Sequence, residues 1–333
     1  MKNKSLLLLF FFLFLCQVSF AQQTILSDSN LPIMVISTDI DPDTNAPTDI
    51  PDEPKVLGSM QLIYRPDGSR NYLTDSTNES FLNYKGRIGI ELRGSSSQAL
   101  DKKPYGFTTL LQDGDSNNNV SLLGMPSEND WVLNSLAYDP SMIRDYLSYT
   151  LASNMGNYAP RVQYIEVIVN GDYKGVYFLT EKVKRDSDRV NLKKIADDDN
   201  DFPDITGGYI IKADKTTGGD EIAWTMPNYG GWDTNFLHHY PKTEDITSAQ
   251  DNYIETIFYN LADQTNPANT SIIDGYPSMI DIPSFVDYIL MAEIASNPDA
   301  YQFSTYFHKD RGGKLRAGPI WDYNLSFGND LFV

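Results

Sequence analysis

The stretch numbered 162–183, VQYIEVIVNGDYKGVYFLTEKV, constrains the fold more than any other part of the chain. Two hydrophobic runs rich in β-branched and aromatic residues flank Asn170-Gly171, a dipeptide suited to the two-residue turn in which both central residues take positive φ. A hairpin of this kind is marginal alone, so its strands must join a larger sheet. Candidates lie upstream: LPIMVIST (31–38), SMQLIYR, RIGIELRG, KPYGFTTL and WVLNSLAY all read as strands, with Asp67-Gly68 marking a turn.

Helical signals are fewer. Asp139-Pro140 supplies an N-cap and a proline at the first helical position, Ile143, Leu147 and Leu151 form a stripe, and Gly156 ends it. After the hairpin come the strand GGYIIKADK, helices near 249–263 and 283–296, STYFHKD, and AGPIWDYNLSF, which reads as a buried strand entering a turn. Phe285, Ile289 and Glu293 recur every four residues, which puts an acid in an apolar stripe and calls for a partner such as Arg144. Gly207-Gly208 and Gly218-Gly219 sit in what reads as a long loop over 198–235. No internal repeat is visible. The expected fold class is α+β in two lobes, a β-rich first lobe over about 57–185 and a more helical second lobe over about 186–333.

The N-terminus has two lysines, an apolar run from Leu6 to Leu15 and Ser19-Phe20-Ala21, the pattern of an export signal cut after Ala21. The run is too short to span a bilayer comfortably, so no membrane span is expected once it is removed. Cys16 is the single cysteine, hence the exported chain would hold no disulfide and must rely on its core. Residues 22–56 read as a strand followed by an acidic linker. Asp39, Asp41 and Asp43 alternate there like a calcium loop, without its glycine or terminal glutamate. The chain has 45 acidic against 26 basic residues, and losing Lys2 and Lys4 makes it more acidic still. Nucleic acid and anionic lipid are excluded as expected partners, whereas metal ions and basic proteins suit such a surface.

The chain has three histidines, His238, His239 and His308, and lacks GxxxxGK[ST], HExxH and GxSxG. Zinc hydrolysis and histidine-based nucleophilic catalysis therefore have little support. Carboxylates and cations remain. Asn297-Pro298-Asp299 follows an apolar helix, and Asp322 lies 23 residues later in GPIWDYNLSFGN, where an aspartate follows a tryptophan inside an apolar run. One acid can accept a proton from an alcohol and the other can hold a cation against a triphosphate. Glycoside hydrolysis by the same pair stays open on spacing alone, given carboxyl groups about 5 to 9.5 Å apart. Leu92-Arg93-Gly94-Ser95-Ser96-Ser97 reads as a strand entering a small-residue turn suited to phosphate, with Lys103 on the return and Glu181-Lys182 at the end of the hairpin.

Together IELRGSSSQ, KKPYGF, LLGMPSENDWVLNSLAYDPSMIRDYLSYTLASNMG, the hairpin, GGYIIKADK and NPDAYQFSTYFHKDRGGKLRAGPIWDYNLSFGN resemble, in order, the CotH kinase family of atypical secreted kinases. The resemblance spans most of residues 31–329. It implies a kinase-like fold and ATP-dependent phosphorylation of serine or threonine on secreted or surface proteins with Mg²⁺ or Mn²⁺, basic serine-rich proteins among the substrates. On this resemblance Asp299 is the catalytic aspartate, Asp322 the metal-binding one, and Arg93, Lys103, Glu181 and Lys182 contact the nucleotide. Two departures stand out. Many relatives carry an asparagine a few residues after the catalytic aspartate as second metal ligand, where this chain has Tyr301-Gln302-Phe303-Ser304, so either Ser304 or Gln302 substitutes, or the second ion is missing, or nucleotide is bound poorly. Relatives also continue beyond the position of Val333, which reads as a truncated chain. The alternative expectation is a non-catalytic surface scaffold.

Overall fold

The computed structural model describes residues 25–329 apart from 217–219, 228–230 and 266–268, so the export signal, Cys16 and Gly218-Gly219 lie outside the described residues. Seven strands form a closed barrel: β1 (Ile33–Thr38), β2 (Val56–Ile63), β3 (Leu82–Leu92), β4 (Tyr105–Leu110), β5 (Asp130–Asn134), β6 (Val162–Val169) and β7 (Asp172–Glu181). The order around the barrel is β6-β7-β5-β4-β3-β2-β1. Every pair is antiparallel except the closing one, where β1 runs parallel to β6 with Ile33 opposite Glu166. The N-terminal strand thus belongs to the barrel.

Period-two alternation fills the interior. Met34, Ile36, Met60, Leu62, Ile88, Ile90, Phe107, Trp131, Leu133, Ile165, Val167, Tyr177 and Leu179 share one buried cluster. Each large apolar side chain so buried stabilises the fold by about 2 kcal/mol. The hairpin turn has Asn170 at φ 51° and Gly171 at φ 80°, as its sequence requires.

The second half is built on an antiparallel five-stranded sheet, with β8 (Tyr209–Ala213), β9 (Trp224–Pro227), β10 (Asp233–Tyr240), β11 (Thr305–Lys309) and β12 (Leu315–Ala317) in the order β9-β10-β8-β11-β12. The stretch expected as a long loop over 198–235 therefore contains β9 and the start of β10 as well as β8, which the sequence already marked as a strand. Three helices of more than two turns accompany the sheets among the described residues: α1 (Arg144–Asn154), α2 (Ser248–Thr265) and α3 (Ile282–Ala295). Ile254 and Phe258 of α2 pack on Tyr209, Ile211 and Phe236 of the sheet, while α3 packs on α1 through Tyr288, Met291, Tyr149 and Ala152. The protein is α+β, strand-rich with few helices, and no described helix is long and apolar enough to cross a membrane.

Three local expectations change. Helix α1 starts at Arg144 because the Asp139 carboxylate accepts the N–H groups of Ser141 and Arg144 across a turn that includes Met142 at φ 58°. Its stripe is also reversed: Ile143 and Leu147 are exposed, whereas Asp145, Ser148, Tyr149 and Ala152 are buried. On α3, Ile289 and Glu293 face outward, and Glu293 accepts the Tyr301 hydroxyl at 2.8 Å, not Arg144. Finally, β12 stops at Ala317, and residues 321–328 form a turn instead of a strand.

Candidate active site

A cavity of about 590 Å³ is lined by barrel residues, by β8 and by the turn after β12. That volume is in the range of small-molecule sites. Asp299 reaches it from the segment after α3. Ser296 caps that helix in the left-handed region, and the Asp299 carbonyl accepts the Phe303 N–H at 2.9 Å. Asp322 reaches it from the turn after β12, where the Phe327 N–H donates to Ala295 O at 2.6 Å and so fastens that turn to the end of α3. One hydrogen bond thereby links the elements that carry the two aspartates.

Asp322 has left-handed backbone, φ 60°, an unfavourable conformation for a residue with a Cβ. Its N–H donates to the Tyr149 hydroxyl at 3.3 Å, and its Oδ1 accepts the Asn324 side-chain amide. Trp321 stacks on Tyr149 with centroids 6.4 Å apart, and the Arg93 guanidinium lies 5.5 Å from the Trp321 ring. Behind Asp322 stands Asp145, 2 % exposed, whose Oδ1 accepts the Tyr323 N–H at 2.7 Å. Burial raises both carboxyls above the ordinary range. The Asp322 charge adds to the shift at Asp145, and the Asp299 charge adds to that at Asp322, where Arg93 opposes it.

Part of the cavity wall is cationic, although Asp52, Glu53, Glu91, Asp214 and Asp220 line the cavity too. Arg93, Lys182, Lys212, Lys215 and Lys242 line the cavity of a chain with far more acids than bases. Lys212 is paired with Asp220 at 2.5 Å, but among the described residues no carboxylate lies within ion-pair distance of the other four. Burial pushes the Lys182 ammonium down to about 8 against the pull of Asp130, with the positive charges of Arg93, Lys55 and Lys242 adding to the shift. Gly94 to Ser97 line the same cavity. Gly94 has φ 90°, and a Cβ there would meet Ser97 Oγ at 2.2 Å, so the turn needs glycine.

The cavity therefore gathers Asp299, Asp322, Ser304, Arg93 and Lys182 of the residues singled out by sequence. Lys103 and Glu181 are not part of its lining. Lys103 Nζ donates to Gln98 O at 2.7 Å and braces the serine turn. Glu181 is fully buried against Arg161, at 2.8 Å, and the Tyr158 hydroxyl, at 3.3 Å. Sequence reading passed over Asp145, Asn324, Lys212, Lys215 and Lys242. Two of these had a signal. The alternation of β8 sends Tyr209, Ile211 and Ala213 to the core and leaves Lys212, with Asp214 just beyond the strand, on the cavity side; Asn324 stands two residues from Asp322.

Among the described residues no three His, Cys, Asp or Glu side chains converge as a cage for a metal ion. Mg²⁺ in phosphoryl-transfer sites needs no such cage, since one or two carboxylates and the substrate phosphates hold it. Asp322, which accepts the Asn324 amide, makes no salt bridge among the described residues and shares the cavity with Ser304, fits that kind of ion, and the cationic part of the wall fits the phosphates.

No curated protein matches the chain. Residues 90–331 match the family model described as CotH kinase protein, a span that runs from the end of β3 past the Asp322 turn. With most of its length matched, both aspartates and the cationic wall included, the chain belongs to the CotH kinase family.

Proposed function

We propose that the protein is an exported kinase that transfers the γ-phosphoryl group of ATP to serine or threonine hydroxyls of secreted or surface proteins, basic serine-rich ones among them. The barrel and the five-stranded sheet act as its two lobes. In this reading Arg93, Lys182, Lys215 and Lys242 hold the phosphates, and the serine turn covers them. Asp322, with Asn324 or Ser304, holds the Mg²⁺ or Mn²⁺ ion, which supplies charge neutralisation on the phosphates. The acceptor hydroxyl attacks the γ-phosphorus, the bond to the β–γ bridging oxygen breaks, ADP leaves, and Asp299 takes the hydroxyl proton. The observation that carries the reading is that one cavity holds Asp299 and Asp322 together with four cations, Arg93, Lys182, Lys215 and Lys242, that have no carboxylate within ion-pair distance among the described residues, in a strongly acidic chain. A groove for a neutral sugar has no use for that wall.

The test is incubation of the purified protein with labelled ATP and Mg²⁺ or Mn²⁺ beside Asp299→Asn, with a basic serine-rich protein as acceptor. The parent is expected to transfer label, and the variant to be about 10² to 10⁴-fold slower. A folded parent that transfers none would turn the reading to a non-catalytic scaffold.

A further inference from the structure

Helix α1 does not merely pack beside the Asp322 turn. Three consecutive contacts run from one of its faces to that turn: Arg144 Nε donates to Ser326 O at 2.9 Å, Asp145 Oδ1 accepts the Tyr323 N–H at 2.7 Å, and the Tyr149 hydroxyl accepts the Asp322 N–H at 3.3 Å. Asp145 is the central one. It is 2 % exposed and lies outside the cavity lining, so it meets no ligand there. Its other oxygen accepts the Asn134 side-chain amide at 3.3 Å. An acceptor with two oxygens facing two N–H donors is what a carboxylate provides and an asparagine provides only by half. Without it the Tyr323 N–H would be left buried and unpaired, next to a residue already held in the left-handed region.

We infer that Asp145 is a positioning residue: by accepting the Tyr323 N–H it fixes the left-handed turn that presents the Asp322 carboxylate at the cavity wall. The inference rests on reading Asp322 as the ion ligand. Groups that orient a metal ligand without touching the metal commonly change affinity or activity by about 10 to 100-fold. A role of this kind separates Asp145→Ala, which removes the acceptor, from Asp145→Asn, which keeps one oxygen for the Tyr323 N–H.

The test compares the full-length parent, Asp145→Ala and Asp145→Asn in two measurements. One is Mn²⁺ affinity in the presence of ATP, followed by the electron paramagnetic resonance of free Mn²⁺. The other is amide hydrogen exchange of the segment 321–327 against that of the barrel strands. Asp145→Ala is expected to weaken Mn²⁺ about 10 to 100-fold and speed exchange in 321–327 alone, with the KM for the acceptor protein unchanged; Asp145→Asn is expected to stay within a few-fold of the parent. Equal Mn²⁺ affinity in parent and Asp145→Ala would overturn the inference. So would an Asp145→Asn as weak as Asp145→Ala, because the charge itself would then be the ligand. A parent that binds no Mn²⁺ with ATP would bring down the reading of Asp322, and this inference with it; normal Mn²⁺ binding in every variant brings down this inference alone. If Asp145→Ala does not fold, Asn134→Ala, which removes the second donor to Asp145 but also alters the cavity lining, replaces it: a smaller loss of Mn²⁺ affinity together with faster exchange in 321–327 supports the positioning role, and unchanged exchange in 321–327 overturns it.

Discussion

Two buried carboxylates, Glu181 at the end of β7 and Asp145 on α1, are equally hidden from water but differ in what answers them. Around Glu181 stand Arg161, whose guanidinium and backbone N–H both donate to it, the Tyr158 hydroxyl, and Arg189 at 3.9 Å. Around Asp145 stand two neutral donors, the Tyr323 N–H and the Asn134 amide, and its strongest charged neighbour is another acid, Asp322. The first charge is neutralised from within the protein. Asp145 and Asp322 have no salt bridge among the described residues, only the more distant charges of Arg93 and Lys215 at Asp322, and burial together with their mutual repulsion favours the neutral forms; the proposed ion would be the partner this pair lacks.

The sharpest way to break this comparison is Asp322→Asn. Phosphoryl transfer is expected to fall by about 10³-fold or more, since the ion loses its carboxylate. Stability without ion or nucleotide should move the other way. A carboxyl raised above its ordinary value binds a proton more readily in the folded chain than in the unfolded one, so its contribution falls as pH rises through the raised value. Denaturant midpoints measured from pH 4 to 8 should therefore decline more steeply with pH in the parent than in Asp322→Asn. A variant less stable than the parent at pH 7 would show the Asp322 charge to be as well satisfied as that of Glu181.

Glu181→Gln tests the other half. Removing one partner of a buried pair leaves Arg161 and Arg189 uncompensated and is expected to lower stability by about 3 to 5 kcal/mol. Because Glu181 is outside the cavity lining, transfer per folded molecule should stay within a few-fold of the parent. Urea unfolding and turnover corrected for the folded fraction measure the two quantities. A selective loss of nucleotide affinity would instead return Glu181 to the contact role that family resemblance suggests.

The same contrast explains what could be read from the sequence. Barrel strands were legible because alternation and the Asn170-Gly171 turn are local signals, with Met34, Ile36, Ile88 and Ile90 falling on one face. The closure of that barrel was not, since the parallel pairing of β1 with β6 joins segments about 130 residues apart and leaves no trace in either. Asp299 and Asp322 stood out as acids against apolar surroundings. Asp145 did not, because Ile143 and Leu147 drew the apolar stripe of α1 to the face that is exposed and left the buried polar face looking like solvent. The buried face of α1 is set by its hydrogen bonds to the Asp322 turn and not by an apolar stripe, so periodicity fails there.

Lys182 asks whether the cationic wall follows the same rule, with the smallest expected effect. Its ammonium is buried among other cations and pushed down to about 8, so the folded chain releases this proton before the unfolded chain does. Stability of the parent should rise as pH increases from about 8 towards 10.5, the ordinary lysine value, where the unfolded chain still holds the proton. Lys182→Met is then expected to be more stable than the parent at pH 7, by on the order of 2 kcal/mol, with the advantage fading across that interval. Its affinity for ATP should fall at the same time, as measured by calorimetric titration. A Lys182→Met protein less stable at pH 7 would mean that Asp130 satisfies the ammonium from within, which would place Lys182 with Glu181 in the framework and leave phosphate binding to Arg93, Lys215 and Lys242.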